Sequence, residues 1–213
     1  EYWNFVIDSG IPSVFFDMPC NSKHLYLGKT DIISQDNYRA IYEVVQYLYR
    51  KGRRKFAYLG WVREGQGIHV LQTRISAFRF AIEGLKLTVP DECYIDIGAL
   101  SPSDPQGIQH IKTLIQGLSE LPDAIICQSD LQAIQLCNAL KEMNVRIPEQ
   151  VAIVGCDNLP ETQRQSPQLT TIDGNTFYQG QLAAKKILER IANPEKPHEY
   201  ILCETRLIYR STS

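Results

Sequence analysis

The chain is expected to fold as an α/β protein with parallel sheets flanked by helices. Val151–Val154 is an apolar, β-branched run without alternation, the signature of a strand buried on both faces. Runs of this kind recur at Phe56–Leu59, Tyr94–Ile97 and Ala124–Cys127, and segments with helical apolar spacing lie between them. With 213 residues, 44% of them hydrophobic, the chain can build a substantial core in one or two domains.

In order along the chain, Ser13–Asp17 reads as a strand with no preceding strand to pair with. From Asn37 to Lys51, Ile41, Val44, Val45 and Leu48 follow helical spacing; Asp36 is placed to cap the start and Gly52 to end the helix. Phe56–Leu59 is the next strand, and Arg74–Leu85 a helix whose Ile75, Phe78, Ile82 and Leu85 share one face. Strands at Tyr94–Ile97, Ala124–Cys127 and Val151–Val154 are separated by helices near Pro105–Leu118 and Leu131–Met143. Gly155 is expected to turn the chain at the carboxyl end of the last of these, which places Asp157 and Asn158 at the strand mouth. Tyr178–Ile191 is a further helix.

The formal net charge is −2 and no window gathers enough Lys and Arg to form a phosphate-binding face, so this segment is not expected to grip DNA itself. Lys51, Arg53, Arg54 and Lys55 form the one basic cluster, read as a solvated turn between helix and strand. No run is apolar and long enough to cross a bilayer, and no export signal opens the sequence, so no membrane partner and a cytoplasmic location are expected. The six cysteines, at 20, 93, 127, 137, 156 and 203, form no CxxC pair and have no His partners at metal-ligand spacing. They are expected to be reduced, mostly buried thiols, with no metal and no cofactor.

Ligands of parallel α/β sheets bind at the carboxyl ends of the strands, so polar residues at those ends are the candidates. Asp17, Arg74 and Asp157 all project toward such a rim: carboxylates accept from hydroxyls and a guanidinium donates in a fixed fork, a set suited to a sugar or similar metabolite. The competing reading is an internal ion pair between Arg74 and one of the aspartates. Ser129 has a hydroxyl that could reach a ligand, whereas Asp130 is expected to cap the following helix. Trp61 could stack on a sugar face or shield a hinge. Enzyme readings find no support, because GxSxG, GxxxxGK[ST] and GxGxxG are all absent and His24, His69, His110 and His198 are scattered.

Eight stretches in order, including Gly10–Asp17, Gly52–Gly60, Thr73–Phe78, Pro122–Cys127, Ile147–Asn158, Leu169–Ile172 and Leu207–Ser211, together resemble the effector-binding domain of the lac repressor (LacI-type) family of bacterial transcription regulators. The resemblance implies a two-lobed, periplasmic-binding-protein-like fold of type I crossed three times by the chain, near Ser34, Asp173 and Glu199. Residues 1–34 and 174–195 would form a partial amino-terminal lobe, and 35–172 with 200–213 the carboxy-terminal lobe. Relative to the family, two βα units and the DNA-reading helix-turn-helix domain are absent, so a fragment of a longer protein is expected.

By the same resemblance Asp17, Arg74 and Asp157 face a cleft between the lobes, and Asp173 could touch ligand as it shuts. Ser129 stands where many relatives carry Asn, and Ser101–Pro105 replaces an aromatic that stacks on ligand in some of them. The implied function is binding of a small, sugar-like effector by a homodimer, coupled to operator DNA through the missing domain. Arg74→Ala is expected to abolish the response while leaving the fold largely intact. The rivals are a solute-binding protein of a sugar ABC transporter and, more remotely, a two-lobed sugar-modifying enzyme.

Overall fold

The computed structural model describes residues 2–16, 28–62, 69–98, 104 and 106–213. The chain forms two units, one from Glu1–Asp36 and Gly174–Thr205, the other from Asn37–Asp173 and Arg206–Ser213.

The first unit contains helix α1 (Tyr2–Asp8) and three parallel strands, β1 (Val14–Phe16), β2 (Asp31–Gln35) and β8 (Tyr200–Cys203), in the order β1-β2-β8. Val6 and Ile7 of α1 pack on Phe15 and Ile32. Helix α7 (Thr176–Ala192) lays Leu182 and Ala183 against Ile33 and Cys203. A buried ion pair clamps this unit: Arg190, near the end of α7, donates from Nε to Asp31 Oδ2 at 3.0 Å and from Nη2 to Oδ1 at 3.2 Å. The same guanidinium holds the carbonyls of Pro194, Lys196 and Pro197, so one side chain gathers the turn that leads into β8.

Two expectations need correcting here, and one strand was not foreseen. With no preceding strand to pair with, β1 pairs with the following β2, whose Asp31, Ser34 and Gln35 disguise a segment that is buried along its whole length. Residues 200–205 belong to this unit and not to the carboxy-terminal lobe, because β8 hydrogen-bonds to β2. The third crossing consequently falls between Thr205 and Arg206, not near Glu199.

The second unit is built on a six-stranded sheet: β3 (Phe56–Gly60), β4 (Tyr94–Asp96), β5 (Ala124–Cys127), β6 (Ala152–Cys156), β7 (Thr170–Asp173) and β9 (Arg206–Ile208). Its order is β4-β3-β5-β6-β7-β9, parallel except for β9, which runs antiparallel to β7. Period-two alternation sends Phe56 and Tyr58 to one face and Ala57 and Leu59 to the other. Helices α2 (Asn37–Arg50) and α3 (His69–Gly84) cover the first face with Ile41, Val44, Val45, Leu48, Phe78 and Ile82. Helices α4 (Gly107–Gln116) and α5 (Asp130–Glu142) cover the second with Ile111, Ile115, Leu136 and Leu140, and a short helix, α6 (Glu161–Arg164), connects β6 to β7.

A local signal ends α2 as the sequence suggests. Gly52 closes α2 at φ +93°, and Arg53 N–H reaches back to the Leu48 carbonyl. The basic cluster behind it is taken up within the unit: Arg54 stacks on Tyr49, Arg53 holds the Pro148 carbonyl and Lys55 pairs with Glu120. No described helix is long and apolar enough to cross a membrane.

Candidate functional site

Four parallel strands of the second unit end at one rim, and each carries a candidate side chain at or just after its last residue. Trp61 follows β3, Gln128 and Ser129 follow β5, Asp157 and Asn158 follow β6, and Asp173 closes β7. Helix α2 begins at this rim with Asn37, and α3 brings Arg74 to it.

Arg74 is the centre of the rim and is buried, with 3% of its surface exposed. Its Nε donates to Asn37 Oδ1 at 3.0 Å, Nη1 to the Gln128 carbonyl at 2.5 Å and Nη2 to Asp157 Oδ1 at 3.1 Å. Burial works against its charge, but Cys156 and the Asp157 carboxylate outweigh it, and the pKa is raised above the usual arginine value. The ion-pair reading of Arg74 is therefore the geometry found. It argues against the expectation that Arg74→Ala would leave the fold largely intact, since truncation would strand the buried Asn37 and Gln128 acceptors and the part-exposed Asp157 carboxylate.

Asp157 is the outward member of that pair, with 34% of its side chain exposed. Its φ is 116°, and Asn158 follows at φ 51°. The turn sits here and not at Gly155, which lies inside β6. Gly155 answers a packing need instead: a Cβ there would meet Asp130 Oδ1 at 2.2 Å. Asn158 accepts from Arg210 Nη2 at 2.8 Å and donates from Nδ2 to Asp173 Oδ2 at 3.2 Å, which ties the ends of β6 and β7 together.

The cap expected of Asp130 is supplied by Ser129, and Asp130 serves instead as a buried anchor. Ser129 is the cap of α5, accepting from Gln132 N–H at 3.5 Å, a long bond that leaves its hydroxyl free to donate. Asp130 has no exposed surface; it accepts from the Thr171 hydroxyl at 2.6 Å and from Leu159 N–H at 2.8 Å. Burial pushes its carboxyl up to about 6, with the Asp157 charge adding to the rise and these two hydrogen bonds opposing it.

Trp61 packs on the core beneath α4 and α5, and its backbone N–H donates to Gln128 Oε1 at 2.7 Å. Its indole Nε1 is buried without a hydrogen-bond partner among the described residues, as is the Tyr58 hydroxyl. Burial raises the Tyr58 phenol, and the Arg74 charge pulls it the other way. Asp17 lies outside the described residues. The structure thus brings together Arg74 and Asp157 directly, with Asp173 joined through Asn158 and with Ser129 and Trp61 on the same rim.

Asn37, Gln128 and Asn158 complete this network, and sequence reading did not single out the first two as site residues. The usable signal for Gln128 is its place immediately after an apolar strand run; Asn37 has none beyond opening a helix. A cavity of ≈ 180 Å³, lined by residues that include Phe56, Thr88, Cys93 and Leu121, opens at the opposite, amino-terminal end of these strands and contains none of the rim residues.

Comparison with known proteins agrees with this architecture. The profile of the periplasmic binding protein-like domain matches residues 45–213. The transcriptional repressor PurR of Haemophilus influenzae is 29% identical over 188 residues, covering 88% of this chain and 52% of the relative. PurR of Salmonella paratyphi B is 27% identical over 182 residues, covering 85% and 51%. The chain spans about half the length of the curated relatives it matches. A solved transcriptional regulator LacI from Bacillus cereus subsp. cytotoxis superposes with a TM-score of 0.84 at 26% identity, covering 99% of this chain and 71% of its own. A LacI family regulator from Enterococcus faecium, solved with bound ribose, shares the fold at a TM-score of 0.75 and 23% identity, covering 100% and 83%. The chain belongs to the periplasmic binding protein-like domain family, and within it to the effector-binding domains of LacI-type regulators.

Proposed function

We propose that this chain is the sensing domain of a transcription regulator, taking a small polar effector, a sugar or sugar derivative, at the rim of the six-stranded sheet. The observation that carries this reading is Asp157, a part-exposed carboxylate presented on a left-handed turn and held by a buried guanidinium. A carboxylate fixed in this way accepts from paired hydroxyls without having to be ordered first. The ribose held by the E. faecium regulator is a molecule of that chemical class.

Asp17 enters the proposal as a second acceptor through the family resemblance alone, and Arg74 as the group that holds the Asp157 carboxylate. Ser129, Trp61 and Asp173 are the further contacts. Through a DNA-reading domain outside this chain, in a homodimer, effector affinity and operator affinity would be linked reciprocally. Such a regulator works in the cytoplasm, and the five described cysteines, all buried and none in a disulfide, suit a reducing compartment.

The test is a thermal-shift and calorimetric panel of sugars, nucleosides and phosphosugars, with D-ribose first. A true effector raises the melting temperature by mass action, and Asp157→Asn weakens it at least about ten-fold by removing a charged acceptor, equivalent to about 1.4 kcal/mol. A panel with no stabilising compound, or equal affinity in the variant, sinks the assignment. The transporter reading is separated by the upstream coding sequence: a helix-turn-helix supports regulation and a signal peptide supports transport.

A further inference from the structure

We propose that Asp130 is a positioning residue for Asp157, fixing from behind the left-handed turn that presents the effector's acceptor. The inference rests on the reading of Asp157 given above, but its geometry stands apart from any ligand. Asp157 and Asn158 both have positive φ, at 116° and 51°, conformations that L-residues hold only when the surroundings over-determine them. Neither residue is glycine, and Asp157 itself carries the side chain the site needs. The strain therefore has to be met by what flanks the turn.

The turn is held in part by the Ile172 carbonyl, which accepts from Asp157 N–H at 2.9 Å, and by Arg210 and Asp173 on the Asn158 side chain; three further contacts lead to Asp130. On the strand side, Asp130 Oδ1 lies only 2.2 Å from where a Cβ of Gly155 would be, so the carboxylate packs against the strand backbone two residues before Asp157. On the far side, Leu159 N–H donates to Asp130 Oδ2 at 2.8 Å, two residues after it. Between them, Thr171 Oγ1 donates to Asp130 Oδ1 at 2.6 Å and accepts from Asn158 N–H at 3.3 Å. One buried carboxylate thus engages positions 155 and 159 directly and position 158 through a single hydroxyl. Asp130 opens α5, which is packed against the sheet by Ala133, Leu136 and Leu140, so the carboxylate is held by an element that does not depend on the turn. Asp130 touches no face open to solvent, and its effect on a ligand is exerted only through Asp157.

Two substitutions separate positioning from general stability. Asp130→Asn keeps the connections: its amide oxygen accepts from Leu159, its NH2 donates to Thr171, and the Thr171 hydroxyl can turn to the Ile172 carbonyl, 3.4 Å away. Asp130→Ala removes them all. Residue-resolved amide hydrogen exchange on the full chain is the measurement. In Asp130→Ala the Asn158 and Leu159 amides exchange at least about ten-fold faster, while those of Ile153 and Val154 in β6 keep their protection, and Asp130→Asn stays near wild type.

Unchanged exchange at Asn158 and Leu159 overturns the proposal. So does a uniform loss of protection across the sheet in both variants, which marks a residue of general stability alone. D-ribose titration of the same proteins adds a second arm, in which Asp130→Ala weakens binding about ten-fold and Asp130→Asn restores it. If the wild-type chain takes no compound of the panel, the effector reading fails by itself, and the exchange data still decide whether Asp130 holds the turn.

Discussion

Arg74 commits three of its N–H groups to partners inside the protein, so replacing it probes the construction of the rim as much as its chemistry. Arg74→Ala is expected to destabilise the second unit by roughly 3–5 kcal/mol, since Asp157, Asn37 and the Gln128 carbonyl lose their common donor. Urea denaturation measures this, and an unchanged midpoint would show that the buried fork is dispensable. Arg74→Lys keeps the charge but not the fork, and should recover less than half of the loss. Gly155→Ala is the complementary case. Its methyl would fall 2.2 Å from Asp130 Oδ1 and 3.0 Å from Leu169 Cδ2, so it should destabilise by about 1–3 kcal/mol through overpacking, again read from the urea midpoint. Asp157 and Arg74 were visible in the sequence because each follows a recognisable strand or loop pattern. The partners that complete their network, Asn37 and Gln128, were not, because positions 37, 74, 128 and 157 meet only through tertiary packing.

At the scale of elements, legibility followed burial on both faces. Phe56–Gly60, Ala124–Cys127 and Ala152–Cys156 declare themselves because a strand covered by helices on either side must be apolar at successive positions. Asp31–Gln35 is buried just as completely yet stays hidden. Its Asp31 is compensated by Arg190, 159 residues away, and no local pattern announces such a partner. The strand β8 shows the same limit, since its place beside β2 depends on pairing across the whole chain. Close packing between elements gives a further prediction. A Cβ at Gly60 would meet Gln128 Cβ and Oε1 at 2.6 Å, so Gly60→Ala should displace the side chain that holds the Trp61 amide. Trp61 fluorescence, in a Trp3→Phe background, should then shift toward a more solvated emission while far-ultraviolet circular dichroism stays unchanged.

For the molecule as a whole, the two units carry opposite responses to acid. Burial raises the Asp130 carboxyl to about 6, so its charged form disfavours the folded second unit. Its folded value lies above its unfolded one; between roughly pH 4 and 6 the folded state binds more protons, and stability falls as pH rises through that window. Lowering the pH from 7 to 5 should therefore stabilise the second unit by on the order of 1 kcal/mol from this group, the full effect of roughly 2–3 kcal/mol being reached only below about pH 4. Asp31 runs the other way. Burial pushes its carboxyl up, but the Arg190 hydrogen bonds, the Glu199 amide and the charges of Arg190 and His198 bring it below the ordinary value. Its contribution to the first unit is present above about pH 4 and is lost as pH falls through the lower, folded value. Urea titrations at pH 7, 5 and 3 followed by residue-resolved exchange should show the second unit strengthening at pH 5 and the first weakening by pH 3. Asp130→Asn should remove the first of these effects.

The interleaving of the two units also bears on how the chain matures as it is made. Residues 206–213 complete the second unit from afar: Thr212 hydroxyl donates to the Ile153 carbonyl at 2.7 Å and accepts from Thr170 N–H at 2.9 Å, and Arg210 holds Leu169, Thr162 and Asn158. The segment that must emerge from the ribosome before them, Gly174–Thr205, belongs wholly to the other unit. A nascent chain therefore carries the six-stranded sheet one strand short until the neighbouring unit's entire second contribution has been synthesised. At the usual pace of translation that interval lasts seconds, during which the exposed edge of β7 has no antiparallel partner and is open to holdase chaperones.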